Sequence, residues 1–476
     1  MNNLIYKLHD VIFGSRSPKD IIGYGHDCVY HLYDLQISAK TLSVYLSMQN
    51  GNKVAIVCED EFLFLVGFIA ALYAKKSPVL SGAADLRAFH LDNSEYDILL
   101  TDSLTDNLNE EALNSKTVVD LKELLKVNPL KPLNMIPKVN KDAALTKPLS
   151  DSQTIIFYTS GSTGKSKSII KTLNNMQVES EALDFLYSQC LNDNKDLIEN
   201  LIVCATVPCT HTYGLTFRVF FPLLHKVPFY SSMLHYTEEL CSVKNPMVLI
   251  SSPAFLSRIS ENIKAPDVKA CVSAGSKLED NTAARFNSWT GKTVTEIYGS
   301  TETNVIGFRF NDGSSPLFTL AEGVKISKSS DGEFTLYSTF IDKKFKLSDN
   351  LELTENGVKL LGRTDRIVKI DEKRVSLVQI ENELLKHSEV KDAYALTVSK
   401  GSRTSIGAVI AADTSLINKF NEDKEAKLEF IKELKFRLSQ VLIPNAMPKY
   451  FRFVEAIPVN EMGKKVKNVM EQLFLW

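Results

Sequence analysis

Apolar and polar positions along the chain fall into two repeating lengths. Short, mostly apolar runs occupy residues 53–58, 78–80 and 97–100. Runs of that length predict strands in a buried sheet. Between the first two, residues 61–75 stay apolar long enough to predict a helix. Strand, helix, strand in that order predicts a parallel sheet with helices on its faces. After a polar stretch at 131–147 the alternation resumes, with strands predicted at 154–157, 201–207, 247–251, 269–273 and 293–297. Residues 316–361 carry shorter β-like pieces separated by turn signals such as Asp331-Gly332 and Asn356-Gly357, which predict a small β subdomain. Beyond Gly362 the chain becomes lysine-rich, with helices predicted at 376–387 and 424–440. The expected fold is α/β: a large N-terminal domain (1–364) of parallel-rich sheets flanked by helices plus a small β subdomain, then a small α+β C-terminal domain (365–476).

Composition narrows the class. A chain of 476 residues exceeds one ordinary core, and 44% apolar with 24% charged residues fits a folded chain. A formal net charge of −2 supplies no global attraction to nucleic acid or to an anionic membrane, and no nucleic-acid partner is expected. The seven cysteines (28, 58, 190, 204, 209, 241 and 271) are odd in number and lack C-x-x-C pairs, the usage of free thiols in a reducing compartment. Cys204, Cys209 and His211 together could ligate a metal, but Cys204 lies in an apolar run, so a core role is expected. Residues 62–74 are apolar yet too few to cross a bilayer, and the N-terminal stretch lacks a signal-peptide core. A cytoplasmic protein without a transmembrane segment is expected.

The chemistry concentrates in Y-T-S-G-S-T-G-K-S-K, residues 158–167. Here glycines 161 and 164 let the backbone curl so that its N–H groups converge. Thr159, Ser160, Ser162 and Thr163 donate hydroxyls, and Lys165 and Lys167 add positive charge. Such a loop suits a polyphosphate. Gly164-Lys165-Ser166 also copies the end of a Walker A loop, G-x-x-x-x-G-K-[ST], but Thr159 stands where its first glycine is required.

The loop resembles that of the adenylate-forming superfamily, which includes acyl-CoA synthetases, acid–AMP ligases and peptide-synthetase adenylation domains and reads roughly [YF]-T-S-G-[ST]-T-G-x-P-K-G. Ser166 and Ser168 replace the family's proline and last glycine. The likeness runs in order through the chain to Lys467. His211-Thr-Tyr-Gly214 resembles the segment beside the reacting carboxylate, and Ala274-Gly275-Ser276 the segment where adenine and acyl group approach the backbone. Tyr298-Gly299-Ser300-Thr301-Glu302 matches Y-G-x-T-E. The resemblance assigns Tyr298 to adenine, Thr301 to the α-phosphate and Glu302 to Mg2+, a hard ion suited to carboxylate and phosphate oxygens. Asp349 and Arg363 match the ribose-binding aspartate and the arginine of G-R-x-D, whose aspartate, Asp365, is the family's hinge for a mobile small domain. Glu372 departs from the pattern, standing where a glycine lines the thiol's path. Lys464 in P-x-N-x-x-G-K matches the lysine that bridges carboxylate and α-phosphate, with Lys465 as its rival.

The resemblance implies an ATP-dependent, AMP-forming acid–thiol ligase. It would use ATP and Mg2+ to activate a carboxylic acid, then pass the acyl group to coenzyme A or to the phosphopantetheine of an acyl carrier protein. No aspartate occupies 211–214 to hold an α-ammonium, which favours a plain acid, and His211, Tyr213 and Phe217 suggest an apolar pocket for an aryl or fatty acid. Two other readings remain at this stage: a degenerate homologue that binds nucleotide without ligase activity, and a phosphate-loop kinase.

Overall fold

The computed structural model describes residues 7–475 apart from 15, 84–85, 87–88, 90–93, 104–116, 126–147, 161–165, 191–199, 313–314, 342, 364–365, 371–372, 401–402, 443 and 461–464. The fold is mixed α/β, a large sheet-based N-terminal part followed by a smaller α+β part. By packing, the backbone forms two compact units: Met1–Lys325 with Tyr337–Phe345, and Ile326–Leu336 with Lys346–Trp476. The hairpin carrying Asp349, which the sequence reading gave to the first domain, thus packs within the second unit. Asp365, the expected hinge, lies outside the described residues.

Among the described residues, two large sheets build the first unit. One has six strands in the order Thr117–Asp120, Ile98–Thr101, Lys53–Val57, Ser77–Leu80, Thr154–Ser160 and Ser166–Thr172. The first five are parallel and the last returns antiparallel. The helix Glu61–Tyr73, apolar on every side, is buried from Glu61 to Leu72, as a helix without a polar face must be. Its start is set by Asp60, whose side chain accepts the Leu63 N–H at 2.9 Å, a standard N-cap.

In the second sheet the strands Phe229–Tyr230, Ile202–Ala205, Met247–Ser251, Val268–Ser273 and Val294–Ser300 run parallel in that order. The strand Met247–Ser251 is buried at every position, because helices cover both faces of a parallel sheet. At its far side the chain reverses through residues 300–304 into Asn304–Asn311. A buried ion pair joins the helix of one sheet to the other sheet's connection: Arg218 lies 2.7 Å from Glu61, with side chains 1% and 2% exposed. Arg218 sits in a π-helical stretch, Leu215–Phe220, a widened turn common at functional sites.

The second unit holds a three-stranded sheet in the order Asp392–Lys400, Arg403–Ala411, Tyr450–Val454. Its side chains alternate with period two. Ala393, Ala395, Ile406, Ala408 and Ile410 join Phe430, Leu434 and Leu438 of the helix Lys424–Ser439 on one face. On the other, Leu396, Val398, Val409 and Ala411 pack with Met470 and Phe474. No helix among the described residues is long and apolar enough to cross a membrane.

Candidate active site

The 158–167 stretch is less of a loop than its composition predicts. Thr159 and Ser160 continue the strand, and Lys167 already lies on the antiparallel return strand, opposite Thr159. Gly161, Ser162, Thr163, Gly164 and Lys165 lie outside the described residues. Alternation explains the change: Lys167 and Lys171 are held in a strand by pairing with the buried run before the loop. Tyr158, buried at the strand's end, donates its hydroxyl to Glu95. Burial first, then that carboxylate, pushes its phenol above the usual range.

Opposite this hairpin stands a second one, formed by the Y-G-S-T-E residues. Gly299 is required at its base, where a Cβ would sit 2.3 Å from the Asn304 carbonyl oxygen. Ser300 and Thr303 close the turn between them: the Ser300 N–H donates to Thr303 Oγ1 at 3.0 Å, and the Thr303 N–H to Ser300 Oγ at 3.3 Å. Asn304 completes it in the left-handed region, φ +59°, a conformation asparagine tolerates better than most residues. Thr301 and Glu302 are left partly exposed at the tip.

The two hairpins meet. Lys167 Nζ lies 3.6 Å from Glu302 Oε1, and Lys171 Nζ donates to the Glu302 carbonyl at 2.7 Å. A candidate phosphate-binding cation and a candidate metal-holding carboxylate from distant parts of the chain therefore share one spot. Glu302 is 28% exposed at its side chain, open enough to take an ion that keeps several waters. Among the described residues no three His, Cys, Asp or Glu side chains form a metal-holding group. A single open carboxylate is the protein's usual share of a Mg2+ site whose other ligands are substrate phosphates and water, so Glu302 fits the ion.

His211 heads the short helix Thr212–Gly214. Its ring packs on Gly82, where an added Cβ would lie 2.6 Å from Cε1, and Gly82 itself has φ +84°. Burial lowers the imidazole to about 4, so His211 is neutral at physiological pH. Gly82 escaped the sequence reading, although the small residues Ser81-Gly82-Ala83 after a strand are the kind of signal that marks close approach.

Tyr213 and Phe217 are not free pocket walls. The Tyr213 hydroxyl donates to the Ser251 and Val272 carbonyls at 3.1 and 2.9 Å, tying two strand ends together. Phe217 is fully buried, its ring 5.7 Å from Tyr187 and 5.1 Å from Tyr213. A π-helical turn rotates it into the core, a rotation that a helical period of 3.6 does not foretell. Ala274 is buried at the end of the strand Val268–Ser273, and Gly275 follows at φ +104° with Ser276 partly exposed. Tyr298 is also buried, edge-on to Phe318 at 5.8 Å. The Cys204 and Cys209 thiols are buried and pushed up by desolvation, in keeping with a core role.

In the second unit, Asp349 and Arg363 are direct partners in one antiparallel hairpin. The next described residue, Arg366, is anchored inside that unit: it pairs with Glu381, donates to the Ala395 carbonyl at 2.9 Å and stacks 4.2 Å above Tyr394. Lys465 is likewise engaged, its Nζ 2.6 Å from Asp392 Oδ1 and 2.9 Å from the Ala393 carbonyl. Lys464 and Glu372 lie outside the described residues.

A family profile described as AMP-binding enzyme matches residues 34–322. The mitochondrial malonate–CoA ligase ACSF3 of Mus musculus is 23% identical, covering 95% of this chain and 88% of that protein. Matches to a malonate–CoA ligase of Arabidopsis thaliana (24% identical) and the acyl-coenzyme A synthetase ACSM3 of Pongo abelii (22%) take in 68% and 47% of this chain. They span only 61% and 44% of those relatives' own lengths. Among solved structures, ATP-bound MatB from Rhodopseudomonas palustris superposes with TM-score 0.74 at 19% identity, over 98% of this chain and 99% of that one. A benzoate CoA ligase from Burkholderia xenovorans LB400 gives 0.72 at 18%, over 98% and 100%. Identities this low establish a common fold.

Proposed function

This chain belongs to the family of AMP-binding enzymes, within the adenylate-forming superfamily, and from that membership and the site's geometry we propose that it is an AMP-forming acid–thiol ligase. It activates a carboxylic acid with ATP, releases pyrophosphate, and transfers the acyl group to a thiol. The observation that carries this reading is the meeting of Lys167 with Glu302 at 3.6 Å, which brings the phosphate loop and the Y-G-S-T-E turn to one point.

Phosphoryl transfer of this kind depends mainly on positioning and on neutralising charge. We assign Lys167, with the loop residues Thr159 to Gly164, to the β- and γ-phosphates, and Thr301 to the α-phosphate. Ala274, Gly275, Ser276, Tyr298, Gly299 and Ser300 border the adenine, while Asp349 and Arg363 take the ribose. Mg2+, when bound, offsets phosphate charge, and Glu302 is the residue that would hold it. His211, neutral because it is buried, orients the substrate carboxylate by a hydrogen bond. The carboxylate oxygen attacks the α-phosphorus, the bond to the β-phosphate's bridging oxygen breaks, and pyrophosphate departs with the electron pair.

Lys464 bridges the attacking carboxylate and the α-phosphate in this reading. Its rival Lys465 is already held by Asp392 and the Ala393 carbonyl, which supports Lys464 as the lysine that reaches out. We also assign Asp365 as the hinge of a swing between the two half-reactions. Lys464→Ala should nearly abolish adenylation and leave ATP binding intact; unchanged adenylation would remove Lys464 from this role.

A plain carboxylic acid is the substrate class the missing aspartate at 211–214 favours over an amino acid, and an aryl or fatty acid is the first to try. The malonate–CoA ligases among the relatives put malonate on the same test panel. Coenzyme A is the first thiol to try and an acyl carrier protein the second, with the cytoplasm as the compartment. ATP–pyrophosphate exchange across aryl, short-, medium- and long-chain acids and malonate decides the matter. Exchange with one class establishes adenylation and names the acid. Absence of exchange in folded, ATP-binding protein overturns the ligase in favour of a degenerate binding homologue, and ADP release would mean a kinase.

A further inference from the structure

We propose that Lys171 and Glu179 are positioning residues that lock the turn presenting Glu302, and so set how tightly the site holds Mg2+-bound ATP. The inference rests on the assignment of Glu302 to the metal made above. Lys171 is only 4% exposed, and Glu179 1%. Burying two ionisable groups is costly unless they are paired and hydrogen-bonded, and here both are spent on one hairpin. The ammonium of Lys171 donates to the backbone carbonyl of Glu302 at 2.7 Å. Glu179, on the helix Leu173–Ala182, accepts the Val305 N–H at 2.9 Å and the Thr216 hydroxyl at 2.9 Å.

The turn is therefore gripped on both sides, by a donor at residue 302 and an acceptor at residue 305. Both contacts on the turn are made to its backbone, so each acts by fixing the segment that presents Glu302. Burial raises the Glu179 carboxyl, opposed by the Val305 N–H, the Thr216 hydroxyl and the charge of Lys171. Lys171 thus holds the carbonyl, and its charge also opposes the rise that burial imposes on its neighbour's carboxyl. Groups that orient a metal ligand typically change metal affinity about 10–100-fold when removed.

The test is calorimetric titration of ATP into the full chain, with Mg2+ and with EDTA, for wild type, K171M, E302Q and the double variant. K171M should weaken binding about tenfold or more with Mg2+ and leave it unchanged in EDTA. In the E302Q background K171M should add less than about twofold, since a residue acting through Glu302 has nothing left to act on. K171R, which keeps charge and donor, should recover most of the loss. Equal weakening with and without Mg2+, or the full loss repeated in the E302Q background, would overturn the proposal. If K171M lacks the native near-ultraviolet circular dichroism, K171Q replaces it under the same criteria. Wild type that binds Mg2+-ATP without pyrophosphate exchange overturns the ligase reading alone, whereas wild type whose ATP binding is indifferent to Mg2+ overturns this one.

Discussion

Two glutamate ion pairs in the first unit show how burial divides structural from functional charge. Arg218 and Glu61 meet at 2.7 Å with almost no exposure, and Arg218 also donates to the Val207 carbonyl at 2.6 Å. Lys167 and Glu302 meet at 3.6 Å with side chains 64% and 28% exposed. In the interior a charge cannot exchange its partner for water, so the Arg218 pair is fixed and couples the two sheets. At the surface solvent screens the attraction and the partners part easily. The Lys167–Glu302 pair can therefore open without loss of fold, as the proposed binding of phosphates and a cation there requires.

Breaking each pair should separate the two roles. R218M leaves the Glu61 carboxyl buried beside no cation and should cost about 3–5 kcal/mol in urea unfolding. Adding E61L should restore much of that loss, because the uncompensated charge is gone. E302Q should cut ATP–pyrophosphate exchange about tenfold or more, as expected when a positioned charge at the reacting phosphates is lost, with a small change in melting temperature. A large stability loss on E302Q with exchange retained would reverse the distinction.

A pH scan sharpens the comparison at His211. Burial lowers its native pKa to about 4, against an ordinary value of 6.5. Between those values the unfolded chain binds a proton that the native state refuses, so His211 makes stability fall as pH drops from 6.5 toward 4. Asp102, raised to about 6 by burial, acts in the opposite sense and is common to both proteins compared. H211Q should therefore show a shallower loss than wild type between pH 7 and pH 5; identical slopes would mean that the ring is not buried in solution. The smallest effect belongs to K167M, which should change unfolding free energy by less than about 1 kcal/mol while weakening ATP binding.

Periodicity located most strands because each buried strand must be apolar along its length, as at 53–57, 247–251 and 268–273. The site motifs were legible for a related reason. Phosphate and metal chemistry demands particular residue types in short order, so 158–167 and 298–302 announce themselves without a structure. Lys171 and Glu179 did not. A lysine in a strand and a glutamate in a helix look like ordinary solvated positions until their burial is known. The same holds for Phe217, whose outward or inward face depends on one π-helical turn, and for Gly82, whose need to be glycine comes from an imidazole 129 positions away in the chain.

What the sequence determined by itself was therefore the class of fold and the chemical vocabulary of the site: which residues can cradle phosphates, hold a hard cation or hydrogen-bond a carboxylate. Those properties are local, set by side-chain type and by spacing along a strand or turn. Tertiary structure alone decided which of these groups meet and which charges are buried. Lys167 reaches Glu302, Lys171 and Glu179 grip the turn between them, and Arg218 is spent on the core, because proximity and desolvation depend on how distant segments pack.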